Sequence, residues 1–270
     1  MKINLMTQEP QEKKEAPPLL FVHGFWQGAW CWAEKFMPYF AARGFTCHAL
    51  DLRGHGESPG KEKIRWYPLK AYVADLIYVV EAMAEKPILI GHSMGGMIVQ
   101  KYLETHTAPA VVLLASAPPG GLIPATFRVI GKHPWPVLIA NLTLDMYNVV
   151  ATPDLYRDAF FSPELPQQDL DHYHAQIQTD SYRAYMDMMF LNLPKTARSH
   201  RVPTLVLGSP DDLIISEKDV RRTTAVYNAD MEMVPGMGHN MMLDKGWEEV
   251  AAAMLGWFQK EGFATLEMEQ

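Results

Sequence analysis

Short apolar runs recur along this chain, separated by longer stretches whose apolar residues return at helical spacing. LLFVHG (19–24) is the first run, ended by Gly24. FTCHALDLRG (45–54), PILIGHS (87–93), AVVLLASAPP (110–119) and PTLVLGSP (203–210) repeat the shape, and MEMVPG (231–236) is a weaker sixth. Runs of this kind fit strands covered on both faces, as in a parallel sheet. The stretches between them predict helices over 29–44, which ends in Gly44, and over 69–86, 95–106, 216–227 and 246–260. The fourth of these opens on Ser216 with Asp219 three residues on, close to a capping box. Strands alternating with helices predict βαβ units, and so an α/β fold with a mostly parallel, doubly wound sheet.

One stretch breaks the rhythm. Residues 120–200 contain many Pro and aromatic residues and no clear strand. A structureless loop of that length is uncommon in a compact domain, so a helical insertion lying over the sheet is expected. The chain then divides into an N-terminal lead-in (1–18), a core (19–119 and 201–270) and a helical cap (120–200). No internal repeat or low-complexity tract is visible.

Composition narrows the function. The 24 Lys+Arg against 31 Asp+Glu give a formal charge of −7, and a nucleic-acid binder needs a basic stripe instead. Cys31 and Cys47 are the only cysteines, too few for a disulfide framework or zinc-finger spacing. The first 18 residues lack the apolar core of a secretory signal, and no apolar run approaches the length of a membrane span. A soluble, cytoplasmic protein is expected.

In an open α/β sheet, ligands bind at the carboxyl ends of the strands. The third run ends there in Gly91-His92-Ser93-Met94-Gly95-Gly96 and leads straight into a helix. The bare pattern G-x-S-x-G matches by chance about 0.1 times in a chain of this size; a strand before it and a helix after it sharpen the signal. Such a turn is strained and pushes the hydroxyl into the open, with unpaired helix N–H groups behind it. A Ser hydroxyl needs a base, and the base an orienting group. Beyond residue 200 the one histidine following a strand-like run is His239, in PGMGHN. The fifth run ends in GSPDD and offers Asp211 and Asp212; the spacing to the next helix favours Asp212, and Asp211 suits a turn-shaping role. The first run ends His23-Gly24-Phe25-Trp26, and a turn here can bring one backbone N–H towards the Ser, where with that of Met94 it would form an oxyanion hole.

Together these residues resemble the α/β-hydrolase superfamily from about Leu19 to Phe258. The matches are the His23-Gly24-Phe25-Trp26 turn, DLRGHGES (51–58), GHSMGG (91–96), GSPDDLIIS (208–216) and PGMGHNMML (235–243). The resemblance implies a nucleophile at Ser93, an acid at Asp212, a base at His239 and oxyanion donors at Phe25 and Met94. It implies a structural turn at DLRGHGES, so Arg53 and His55 are not expected to be catalytic, and His92 is expected to point inward. Relatives with Asp or Cys as nucleophile are excluded by Ser93. Plant cyanohydrin lyases share the H-G-x-x-x-G-A-W pattern at 23–30, but they carry Lys after the catalytic His, where this chain has Asn240. No clear hairpin precedes Leu19: either a peripheral strand is lost or residues 1–7 form one.

The expected activity is cleavage of a carboxylic ester, thioester or lactone of a small-molecule substrate through an acyl-enzyme, with no metal or organic cofactor. The alternatives are a cofactor-free perhydrolase or haloperoxidase, and a non-catalytic binding protein on the same fold. Whether the chain is a monomer or a homo-oligomer is open. His172 and His174 read as an exposed polar helix rather than a metal site. Met186, Met188, Met189 and Phe190 read as packing or, less readily, as an acyl pocket.

Overall fold

A computed structural model describes residues 2–264; residue 1 and residues 265–270, the ends of the lead-in and of the core as divided above, lie outside it. Seven strands make one sheet: β1 (Leu5–Gln8), β2 (Leu19–Val22), β3 (Cys47–Leu50), β4 (Ile88–His92), β5 (Val111–Leu114), β6 (Thr204–Gly208) and β7 (Asp230–Met233). Their order across the sheet is β1-β3-β2-β4-β5-β6-β7. β1 runs antiparallel to β3, with Leu5 opposite Leu50, and every other pairing is parallel. Every residue of β2, β4, β5 and β6 is buried, which is why those segments are apolar without alternation. β7 lies at an edge, and its burial alternates along DMEM.

Eleven α-helices are described: α1 (Trp30–Ala33), α2 (Phe36–Ala41), α3 (Leu69–Ala82), α4 (Met94–Tyr102), α5 (Ile123–Lys132), α6 (Pro134–Thr143), α7 (Pro153–Phe160), α8 (Gln167–His174), α9 (Tyr182–Met186), α10 (Glu217–Tyr227) and α11 (Trp247–Lys260). The helix expected over 29–44 is two short ones. Lys35 leaves the helical region (φ −136°, ψ −55°), and Pro38 has no N–H to continue a ladder back to Glu34. The capping box of α10 is complete: the Ser216 side chain accepts from the Asp219 N–H, and the Asp219 side chain accepts from the Ser216 N–H.

Within the segment read as a lead-in, Leu5–Gln8 forms an edge strand, so the sheet keeps a peripheral member. The strand is secured by Asn4, whose side chain donates to Asp51 Oδ2 at 2.8 Å and whose N–H donates to Ser58 Oγ at 2.9 Å. Between β5 and β6 the described residues are helical or irregular, without a strand. This stretch lies over the carboxyl ends of the strands: the Asn240 N–H donates to the Phe160 carbonyl at 2.8 Å, and the Trp26 indole donates to the Met146 carbonyl at 3.0 Å. Among the described residues, no helix is long and apolar enough to cross a membrane.

Candidate active site

Ser93 stands where β4 stops and α4 begins. Its backbone is at φ +52°, ψ −115°, a conformation that side-chain-bearing residues rarely adopt. The turn is clamped on both sides. The Ser93 N–H donates to the Leu114 carbonyl at 3.2 Å, and the Ala117 N–H donates to the Ser93 carbonyl at 3.0 Å. The chain crosses itself so closely that a Cβ on Gly95 would run into the Val22 carbonyl oxygen. One on Gly91 would come within 2.6 Å of the Gly95 oxygen. Glycine at these two positions is what allows the tight strand-to-helix turn.

His239 comes from the turn after β7. Its Nε2 lies 2.8 Å from Ser93 Oγ, and its Nδ1 lies 2.8 Å from Asp212 Oδ2. A carboxylate only accepts, so Nδ1 carries the proton and Nε2 accepts from the hydroxyl. The other Asp212 oxygen accepts the N–H groups of Ile214 (2.7 Å) and Ile215 (3.0 Å). The Asp212 carboxylate is fully buried, and the His239 ring is nearly so. Asp211 faces elsewhere: its Oδ2 accepts the Gly236 N–H at 2.7 Å. Of the two aspartates after β6, Asp212 is the one that meets the imidazole.

Two residues support His239 from behind. Asp244 Oδ2 accepts the N–H of Gly238, the residue before it, at 2.7 Å. The same carboxylate accepts the Ser162 N–H and hydroxyl, both at 2.7 Å. His92 is buried, as expected, and its Nε2–H donates to the His239 carbonyl at 3.0 Å. Burial, and then the neighbouring His239, push its pKa well below the ordinary value. The His92 ring lies beside that of His239, with centroids 4.9 Å apart.

The Phe25 and Met94 N–H groups donate to no protein acceptor among the described residues. Met94 is the first residue of α4, where helix geometry leaves the N–H free. Phe25 lies in the turn after β2, and its neighbours are both engaged: Gly24 N–H with the Gln27 side chain, Trp26 N–H with Asp180. Above Ser93 and His239 opens a narrow cavity of about 80 Å³. Phe25, Trp26, Phe160 and Ile214 wall it, together with Ala125, Thr126 and Val129 of α5 and Val137, Ala140 and Asn141 of α6. Among the described residues, His239 and the Tyr185 phenol are the ionisable groups that line it.

The remaining residues singled out in the sequence take other parts. Arg53 pairs with Asp75 at 2.6 Å, and His55 with Asp180 at 3.0 Å. Burial disfavours charge on His55, yet the Asp180 carboxylate outweighs it and the pKa is raised. His172 and His174 part company: one meets Glu34 Oε1 at 2.8 Å, the other the Val150 carbonyl at 2.9 Å. Met188 is buried, Met186 and Met189 pack half-buried and Phe190 is exposed; none of them lines the cavity. Asn240 bridges Gln27 and Tyr156, at 3.0 Å to each. The supports at Asp244 and Asp180 were not read from the sequence, where nothing marks them. His92 was expected to point inward, and it does.

Comparison with known proteins bears on this arrangement. A model of the Alpha/beta hydrolase family matches residues 19–253. The chain is 27% identical over 250 residues to a non-heme chloroperoxidase of Burkholderia pyrrocinia, covering 85% of this chain and 87% of that protein. It is 28% identical over 223 residues to a pFDCC methylesterase of Arabidopsis thaliana, covering 77% and 81%. The crystal structure of a monoacylglycerol lipase of Paleococcus ferrophilus superposes with a TM-score of 0.71 at 21% identity, covering 97% of this chain and 100% of that one.

Proposed function

The chain belongs to the alpha/beta hydrolase family, and from that premise we propose that it hydrolyses carboxylic esters with uncharged, apolar acyl groups through an acyl-enzyme at Ser93. The observation that carries this reading is the relay from Ser93 Oγ to His239 to Asp212, with 2.8 Å at each step. Residues 120–200 act as the cap over a core of residues 19–119 and 201–270.

Ser93 Oγ attacks the acyl carbon as its proton passes to His239 Nε2. Asp212 holds the ring in the required tautomer and stabilises the imidazolium. The N–H groups of Phe25 and Met94 take up the oxyanion; one such donor is worth about 3–4 kcal/mol of barrier. His239 then protonates the leaving alcohol, and a water that gives its proton to the same nitrogen frees Ser93 and releases the acid. Among the described residues, the cavity walls offer no charged partner for an ionised acyl group, whose burial without one is costly. An apolar acyl chain is the fitting occupant.

A panel of p-nitrophenyl esters of rising acyl length, run on the wild type and on Ser93→Ala, tests the reading. Hydrolysis by the wild type that vanishes in the variant, with covalent labelling by a fluorophosphonate, is expected. A wild type that neither labels nor turns over would leave a binding protein on this fold. A second reading is favoured by the likeness to a non-heme chloroperoxidase: hydrogen peroxide in place of water would cleave the same acyl-enzyme to a peracid, which would oxidise halide. Peroxide-dependent halogenation in the presence of a carboxylic acid, absent from Ser93→Ala, would mark that activity.

A further inference from the structure

The two peptide planes on either side of Phe25 are held by different parts of the molecule. The plane before it is fixed through the Gly24 carbonyl, which accepts from His23 Nδ1 at 2.8 Å. His23 Nε2 accepts the Leu52 N–H at 3.2 Å, so the Nδ1 atom carries the proton. Because a trans peptide sets its N–H opposite its C=O, this bond aims the Phe25 N–H away from His23. The plane after Phe25 is fixed through Trp26, whose φ of +66° is an outlier for a bulky side chain and persists only where its surroundings impose it.

Those surroundings come from the helical segment, 154 residues away in the case of Asp180. Asp180 Oδ2 accepts the Trp26 N–H at 2.7 Å, and the Gln178 N–H donates to the Trp26 carbonyl at 3.0 Å. Asp180 Oδ2 also takes His55 Nε2 at 3.0 Å, and Oδ1 takes the Ser181 N–H at 2.6 Å. The carboxylate is fully buried. A buried carboxylate is tolerated only when its oxygens are matched by donors, and here Oδ2 has two and Oδ1 one. No part of Asp180 lines the cavity, so substrate does not touch it.

We infer that Asp180 is a positioning residue for the oxyanion donor at Phe25: by gripping the Trp26 N–H it holds the strained turn that keeps the Phe25 N–H free and turned to the space above Ser93. This rests on the reading of Ser93 as the nucleophile of an ester hydrolase. Its loss therefore weakens what binds the tetrahedral oxyanion and spares what binds the planar ester.

The test uses the full chain and counts active sites by end-point fluorophosphonate labelling. Asp180→Ala is expected to lower kcat per labelled site on p-nitrophenyl butyrate by about 10–100-fold, short of the loss on removing a donor outright. KM should stay within about threefold, and the affinity for phenylboronic acid, whose adduct with serine is tetrahedral, should fall by the same factor as kcat. Asp180→Asn keeps one acceptor oxygen for Trp26 and is expected to lose only about 3–10-fold. A merely structural residue would cost labelled sites and melting temperature but leave kcat per site unchanged, and that result overturns the inference. So does a fall in kcat without a matching fall in boronate affinity. If the alanine variant does not fold, Asp180→Asn decides by the same two readouts. A wild type that neither labels nor hydrolyses the ester defeats the underlying reading instead; an active wild type with an equally active variant defeats this inference alone.

Discussion

The rim of the sheet and the helical segment above it wall the same cavity, and they are built from opposite materials. At the rim, polar groups are paired and rigid: Ser93 is clamped by β5, Asp212 accepts two backbone N–H groups besides the imidazole, and His239 is propped by His92 and Asp244. The segment over it offers side chains of α5 and α6 that are uncharged towards the cavity. Its outer face is apolar as well, with Phe127, Trp135 and Leu142 at 69%, 71% and 75% exposure. The contrast teaches a division of labour. Charge displacement needs preorganised dipoles that do not move during reaction, whereas accommodating an acyl chain needs only shape and apolar area. Chemistry and substrate range can then vary separately, except where Asp180 reaches from one region into the other.

The comparison breaks most sharply at the serine. Ser93→Ala should lower ester turnover on the order of 10⁶-fold with an unchanged melting temperature, read by initial rates and thermal melts. Asp212→Asn should cost about 10⁴-fold through the wrong imidazole tautomer, and Asp211→Asn far less; the reverse order would move the acid one residue along. In the other region, Ala140→Phe fills the cavity from α6. It should cut kcat/KM for long acyl esters by about tenfold or more while sparing the acetate; equal loss on both would mean that the segment carries chemistry too.

Acid should also tell the regions apart. Burial, then the nearby His55, lower the pKa of His23 to about 4 from an ordinary 6.5, and burial and His239 push that of His92 well below its ordinary value as well. The unfolded chain therefore binds protons here that the native chain refuses. Stability linked to these rings is complete above pH 6.5 and falls as the pH drops towards 4. Melting temperatures that decline through this window, less steeply in His92→Gln, are expected. The smallest effect belongs to the outer face of the segment: Leu142→Lys should change stability by no more than about 0.5 kcal/mol and leave hydrolysis of a soluble ester unaltered.

How much of this was legible follows from where the information sits. Ser93, Asp212 and His239 each come directly after an apolar run, so strand-end position marked them before any coordinates. β1 was not so marked, because LMTQ at the sheet edge buries too little to show a pattern. The break between α1 and α2 could have been read from Pro38. The cavity walls could not: α6, PWPVLIANLT, carries apolar residues both towards the cavity (Val137, Ala140) and away from it (Trp135, Leu142). The methionine cluster was read first as packing, and Met186, Met188 and Met189 do pack rather than line the cavity.

Local periodicity and turn chemistry alone thus determined the order of β2–β7 and most of the helices between them, and placed Ser93, the two aspartates and His239 at the carboxyl ends of strands. Both are properties of neighbours along the chain. The tertiary structure alone decided which face of α5 and α6 looks inward, and that a buried carboxylate at residue 180 holds the turn at Trp26. Those outcomes depend on distances between residues far apart in sequence, and only the closed packing of segments against one another sets such distances.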